Sequence, residues 1–164
     1  SGVGYGSNSY GKASLSYLAL KDLLGDAVFK KALHHYMSVW NGKHPIPWDY
    51  FNAMSRGSGQ NLNWIFNNCF FSNSYIDLKI DSVQKQHNAY AINVSNVGGF
   101  AIPFDLKIVY ENGKTSSLHI TPQVWQRDAK QQVFKIASRT AIRSIQLDGG
   151  IFMDYTPGDN YWEE

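Results

Sequence analysis

The sequence predicts an α+β, multidomain chain: a helical hairpin array over residues 1–75, then an antiparallel, immunoglobulin-like β-sandwich over residues 76–164. Three observations predict it. Apolar residues recur at helical spacing up to about residue 75 and with a period of two beyond it. Gly, Pro and Asn-Gly breaks cut both halves into short elements with short connections. The chain is 43% hydrophobic and only 17% charged, which suits packed globular domains, and its 164 residues allow one full domain or two small ones.

The helices follow in order. Tyr10 opens the first, with a stripe through Ala13, Tyr17, Leu20 and Leu24 that Leu18 widens. Gly25 ends it where a left-handed residue is wanted, and Asp26 caps the second helix. That helix carries Phe29, Leu33, Tyr36 and Trp40, and Asn41-Gly42 stops it. His44-Pro45-Ile46-Pro47 cannot be helical, because each proline disfavours the α region in the residue before it. Pro47 can sit in the first turn of a third helix running through Met54, which Gly57-Ser58-Gly59 breaks. A fourth short helix spans Leu62 to Phe71. Short connections imply antiparallel neighbours, hence stacked hairpins.

The strands follow from the period of two. Leu78, Ile80 and Val83 begin it; Tyr90, Ile92 and Val94 continue, and Asn96-Val97-Gly98-Gly99 forms a turn. Phe104, Leu106, Ile108 and Tyr110 precede Asn112-Gly113, which predicts a type I′ hairpin with positive φ at both central residues. Leu118 and Ile120 lie on the return strand, and later strands hold Val133, Phe134 and Ile136, then Ile142, Ile145 and Leu147. Six or seven short strands with regular turns predict a small sandwich, without the cysteine pair of antibody domains.

Several function classes are excluded or demoted. A net charge of +2 leaves no electrostatic footprint for nucleic acid. No run of ~18 apolar residues spans a membrane, and no basic-then-apolar leader is present. Cys69 is the sole cysteine, so neither an intrachain disulfide nor a cysteine-based metal cluster forms; its apolar surroundings predict a buried, inert thiol. None of His34, His35, His44, His87 and His119 is followed by Glu, so the zinc-protease motif H-E-x-x-H is absent. No serine sits in a G-x-S-x-G elbow, and the glycines of residues 2–6 follow no strand that would make a dinucleotide loop. The aromatic stripes read as core before they read as a stacking platform. Tyr5 and Tyr10 remain: two tyrosines five residues apart in a Gly/Ser-rich stretch, the second at a helix mouth. A phenol there can stabilise a developing oxyanion in acyl transfer.

Tyr10-Gly11-Lys12-Ala13, Leu23-Leu24-Gly25-Asp26, Phe29, His44-Pro45-Ile46-Pro47 and Ser58-Gly59-Gln60-Asn61-Leu62-Asn63-Trp64 stand in an order that resembles a known family. It is the C-terminal part of the alanyl-aminopeptidase-type zinc metallopeptidases, gluzincins that include the leukotriene-hydrolase-like enzymes. The resemblance covers residues 5 to about 72. A weaker one, through Leu106 to Gly113, Trp125 and Leu147 to Asn160, extends to the β-sandwich of bacterial members. It implies that Tyr10 is the tyrosine whose phenol stabilises the tetrahedral intermediate, and that Tyr5 is a second active-site tyrosine. Lys12 matches the motif's lysine, without an assigned role. Cys69 stands where the family usually has a second tryptophan, a packing substitution.

The resemblance further implies zinc and a peptide substrate in a parent enzyme whose zinc ligands lie before residue 1. The chain by itself would then bind no catalytic zinc and hydrolyse nothing. Truncation would leave apolar surface near Tyr5, Tyr10 and Tyr17 and favour self-association. No nucleic acid and no transmembrane segment are expected, and the appended sandwich points toward a periplasmic or extracellular setting in a bacterium. The alternative is a non-catalytic peptide-, glycan- or protein-binding module, a degenerate aminopeptidase homologue included.

Overall fold

A computed structural model describes the backbone from Val3 to Glu164 and the side chains from Gly11 onward. Among the described residues the chain has four α-helices and seven strands, and it divides into two compact units, Ser1–Ser72 and Asn73–Glu164.

The helical unit contains α1 (Val3–Leu24), α2 (Asp26–Trp40), α3 (Pro47–Ser58) and α4 (Asn63–Phe70). Helix α1 begins seven residues before Tyr10, so Tyr10 lies within the helix and not at its mouth. The glycines and serines before it weaken a helix, at about 1 kcal/mol per glycine, but contain no proline to forbid one. Gly25 alone joins α1 to α2. With φ 73° and ψ 159°, its N–H donates to the Lys21 carbonyl at 2.8 Å while its own carbonyl accepts from Phe29 N–H at 2.9 Å. Gly25 is therefore the residue before α2, and Asp26 is in the first turn and caps nothing with its side chain. There its carboxylate meets the positive end of the helix and lies 3.4 Å from Lys21, an exposed pair of small energetic weight.

Pro47 opens α3 as its missing N–H allows, and Asp49 reaches back to accept the Ile46 N–H at 2.9 Å. Gly59, at φ 71° and ψ 20°, ends the helix. Gly57 does not break it. It stays helical because α2 lies directly against it: a Cβ at Gly57 would sit 2.7 Å from Ala32 Cα and 2.9 Å from His35 Cβ. Helix α1 packs on α2 and α4, and α3 on α2 and α4. Leu20, Leu24, Ala32, Phe51, Met54, Leu62, Ile65 and Phe66 are buried, with the Phe51 and Phe66 rings stacked at 4.4 Å.

The second unit holds β1 (Leu78–Gln86), β2 (Ala89–Asn96), β3 (Phe104–Tyr110), β4 (Thr115–Ile120), β5 (Gln131–Ala137), β6 (Ile142–Asp148) and β7 (Tyr161–Glu163). They form two antiparallel sheets, ordered β1-β2-β5 and β4-β3-β6-β7. The sheets meet through their apolar faces. Phe104 of β3 sets its ring edge-on to Phe134 of β5 at 5.9 Å, and the Ile142 N–H of β6 donates to the Tyr90 hydroxyl of β2 at 3.2 Å. Trp125, buried in a 3-10 turn, donates its indole N–H to the Ile102 carbonyl at 3.1 Å.

Three strand-level expectations change. The β3–β4 connection is not a two-residue type I′ turn. Gly113 has φ 78° but Asn112 is not in the positive-φ region, and Gly113 N–H returns to Tyr110 O at 2.9 Å. The loop is three residues, a turn followed by a left-handed glycine bulge. Leu118 is 47% exposed, because β4 is a sheet edge with only Ile120 buried. The 96–99 segment is more than a turn. Gly98 sits so close to the chain at Tyr75 that a Cβ would fall 2.0 Å from that carbonyl oxygen, while Gly98 N–H donates to Asp77 O at 3.1 Å.

Candidate functional site

Helix packing in the first unit leaves a cavity of about 410 Å³. Helix α1 supplies Tyr17, and α2 supplies Phe29, Leu33 and Tyr36 from successive turns of its apolar stripe. The non-helical Pro45-Ile46-Pro47 segment and Tyr50 of α3 complete the wall. Tyr17 and Tyr36 stand edge-on to Tyr50, with ring centroids 5.6 and 5.2 Å away.

The Tyr50 hydroxyl is buried and has no hydrogen-bond partner among the described residues. Burial first, then the neighbouring Tyr17 and Tyr36, raises its pKa above the ordinary phenol value. It therefore remains a neutral O–H at physiological pH. The pocket is open and apolar and can receive a small apolar or aromatic group, although the buried Tyr50 hydroxyl presents almost no surface to it. It holds no nucleophile–base pair and no metal ligand set. Sequence patterning assigned these rings to the core. Nothing in a 3.6-residue period shows that one hydroxyl will lack a partner.

A second polar cluster lies between α1 and the end of α4. Lys12 Nζ donates to the Ser72 carbonyl at 2.7 Å, and the Ser16 hydroxyl donates to the Lys12 carbonyl at 2.7 Å. Cys69 is buried beside them. Burial pushes its thiol up to about 11, against smaller opposing effects from a Ser16 hydrogen bond and the Lys12 charge. A thiol so placed is not a nucleophile at neutral pH. Desolvation also lowers the Lys12 pKa.

Tyr5 and Tyr10 are both on α1, and their side chains lie outside the described residues. The histidines do not assemble. His34 and His35 are on α2, and His119 pairs with Asp105 at 2.7 Å across the β3–β4 edge. Among the described residues the one group with metal-binding proximity is Asp77, Asp154 and Asp159. An all-carboxylate set lacks the nitrogen or sulfur donors typical of protein zinc sites, so the described residues do not fit a catalytic zinc.

No family model matches the chain, and no curated protein does. Among solved structures, the chain is similar to aminopeptidase A of Legionella pneumophila, determined in complex with aspartic acid. The TM-score is 0.61 at 16% sequence identity. The likeness covers 80% of this chain and 15% of that one, so the chain matches a small portion of the aminopeptidase's length. At that identity the likeness establishes an aminopeptidase-like fold. No helix among the described residues is long and apolar enough to cross a membrane.

Proposed function

We propose that this chain is the C-terminal part of an alanyl-aminopeptidase-type zinc peptidase that removes N-terminal residues from peptides. The observation that carries the reading is the fold likeness to an aminopeptidase over 80% of the chain. The ordered motifs from Tyr10 to Trp64 support it independently. In this reading the first unit is the end of the catalytic region and the start of a helical hairpin array. The second is an immunoglobulin-like sandwich. The strand orders support that topology, since β1-β2-β5 and β4-β3-β6-β7 correspond to A-B-E and C′-C-F-G, with β4 beside the third strand.

Tyr10 would donate its phenol O–H to the carbonyl oxygen of the scissile peptide bond as negative charge develops there. Removing one such donor costs on the order of 3 kcal/mol, roughly a hundredfold in rate. Zinc, its ligands and the amine-binding groups would belong to the parent protein outside this sequence. The isolated chain would be inactive, and its exposed Tyr17, Leu18 and Trp48 would favour self-association. The test compares the purified chain and the parent protein on a chromogenic amino-acid amide, with and without zinc. Zinc-dependent release by the parent and none by the chain supports the proposal; release by the chain alone refutes it.

The aromatic cavity favours a second reading, a non-catalytic module that binds a peptide or glycan end. An intact H-E-x-x-H motif followed by a downstream Glu in the parent reading frame selects the enzyme. A broken motif selects the binding module.

A further inference from the structure

Three carboxylates from two distant stretches of sequence converge in the strand unit. Asp77 immediately precedes β1, whereas Asp154 and Asp159 lie in the long connection between β6 and β7. One oxygen of each lies within 4.8 Å of those of the other two. Asp77 is only 5% exposed, and its Oδ1 is buried without a hydrogen-bond partner. That oxygen is the independent sign of a ligand. A buried acceptor left unsatisfied costs about 1–3 kcal/mol, more when it is charged. The Asp77 carboxyl shares side-chain hydrogen bonds with Thr156 and Asp154, and the charges acting on it are those of Asp154 and Asp159, with no basic side chain among them. Asp159 Oδ1 is also buried and unpartnered. So is Oδ1 of the next residue, Asn160, which is 7% exposed.

The surrounding backbone holds these groups in place without using up their oxygens. Asp154 accepts the Leu78 N–H on Oδ2 at 2.7 Å and the Thr156 N–H on Oδ1 at 2.8 Å. Tyr155 N–H donates to Ile76 O at 2.9 Å, and Leu147 N–H to Asn160 O at 2.8 Å. A carboxylate oxygen that accepts one N–H keeps a further lone pair. The frame is therefore built before any ion arrives, and the carboxylates are gathered with no basic side chain acting on Asp77.

We propose that Asp77, Asp154 and Asp159 bind one calcium ion, which fastens the β6–β7 connection to the start of β1. The donors are hard oxygens, which suit calcium and magnesium over zinc. Calcium fits better than magnesium, because its flexible coordination by six to eight oxygens tolerates carboxylates brought from a loop and a strand end, whereas magnesium demands near-ideal octahedral geometry. The inference is independent of the peptidase reading, since it needs no catalytic group.

The test is calorimetric titration of the full chain with calcium chloride after chelator treatment, paired with thermal denaturation. A single site is expected, with a Tm rise of about 5 °C at roughly 5 mM calcium and a smaller one with magnesium. Asp77→Asn and Asp159→Asn should each weaken binding by tenfold or more, while Asp81→Asn leaves it unchanged. If Asp77→Asn fails to fold, Asp159→Asn, at a less buried position, carries the test. Absence of both heat and Tm shift up to about 10 mM calcium would overturn the proposal and leave a proton shared between Asp77 and Asp154. An undiminished shift in Asp159→Asn would overturn it too, by placing the ion elsewhere.

Discussion

Replacing Gly57 by alanine should destabilise the helical unit, although alanine is the better helix former. Gly57 lies inside α3, where the change from glycine to alanine by itself favours the helix by about 1 kcal/mol. Against that, the new methyl would sit 2.7 Å from Ala32 Cα, 2.9 Å from His35 Cβ and 3.1 Å from Ala32 O. Two of these three atoms are backbone, so no rotamer change relieves the contact. Restoring an ordinary carbon–carbon separation of about 3.5 Å requires α2 and α3 to part by nearly 1 Å. A gap of that size forfeits a quarter to a half of the dispersion energy of neighbouring contacts. Overpacking of this kind costs about 2–3 kcal/mol once backbone must move. The net loss is then about 1–2 kcal/mol, or a Tm lowered by roughly 5–10 °C for a unit of this size. Gly11→Ala is the control. It lies in α1, a Cβ there meets nothing within 4 Å among the described residues, and it should stabilise by about 0.5–1 kcal/mol. Circular dichroism at the helical minimum during thermal denaturation reads both. Gly57→Ala as stable as the parent chain would refute the close α2–α3 approach.

Three further outcomes follow from single side chains. Tyr50→Phe removes a buried, unpartnered hydroxyl and should raise stability by about 1 kcal/mol in denaturant titration; a loss would mean the hydroxyl has a partner. Gly113→Ala, at φ 78° with open space around it, should cost about 1 kcal/mol through backbone strain alone, seen as a lower Tm of the strand unit. The Cys69 thiol is raised from 9.0 to about 11 in the folded chain, so on alkaline titration the unfolded chain ionises first. Its contribution to stability is fully present below about pH 9 and lost as pH rises through about 11, amounting to about 3 kcal/mol. Cys69→Ala should lack that component of the pH dependence, and a pH profile identical to wild type would contradict the burial.

The helices were legible because an apolar stripe has one period and proline one meaning. Phe29, Leu33 and Tyr36 do share a wall of the cavity, and Pro47 does open α3. Punctuation by glycine was less reliable, because glycine serves two physical ends. Gly25 and Gly59 take positive φ and end helices, whereas Gly57 is there for its missing Cβ and leaves the helix intact. The start of α1 was hidden, since residues 3–9 have no apolar stripe and the cap-forming residue types Ser7, Asn8 and Ser9 fall inside the helix, not at its start. In the strands, alternation foretold the buried Leu106 and Ile108 of β3 but not the exposure of Leu118, which depends on β4 being an edge. The aspartate group was beyond reach. Asp77 and Asp154 are brought together by sheet register and a loop, and no local pattern encodes their meeting. The unpaired Tyr50 hydroxyl likewise depends on which atoms three helices fail to place beside it.

The peptidase proposal turns on Tyr10, and a single substitution in the parent protein probes that residue. Steady-state hydrolysis of an amino-acid amide by the parent carrying Tyr10→Phe should show kcat reduced by roughly a hundredfold with KM nearly unchanged, since the lost hydrogen bond forms chiefly as charge develops on the carbonyl oxygen. A kcat within about twofold of the wild type, in a protein that still hydrolyses the amide, would contradict the assignment of this phenol to the transition state.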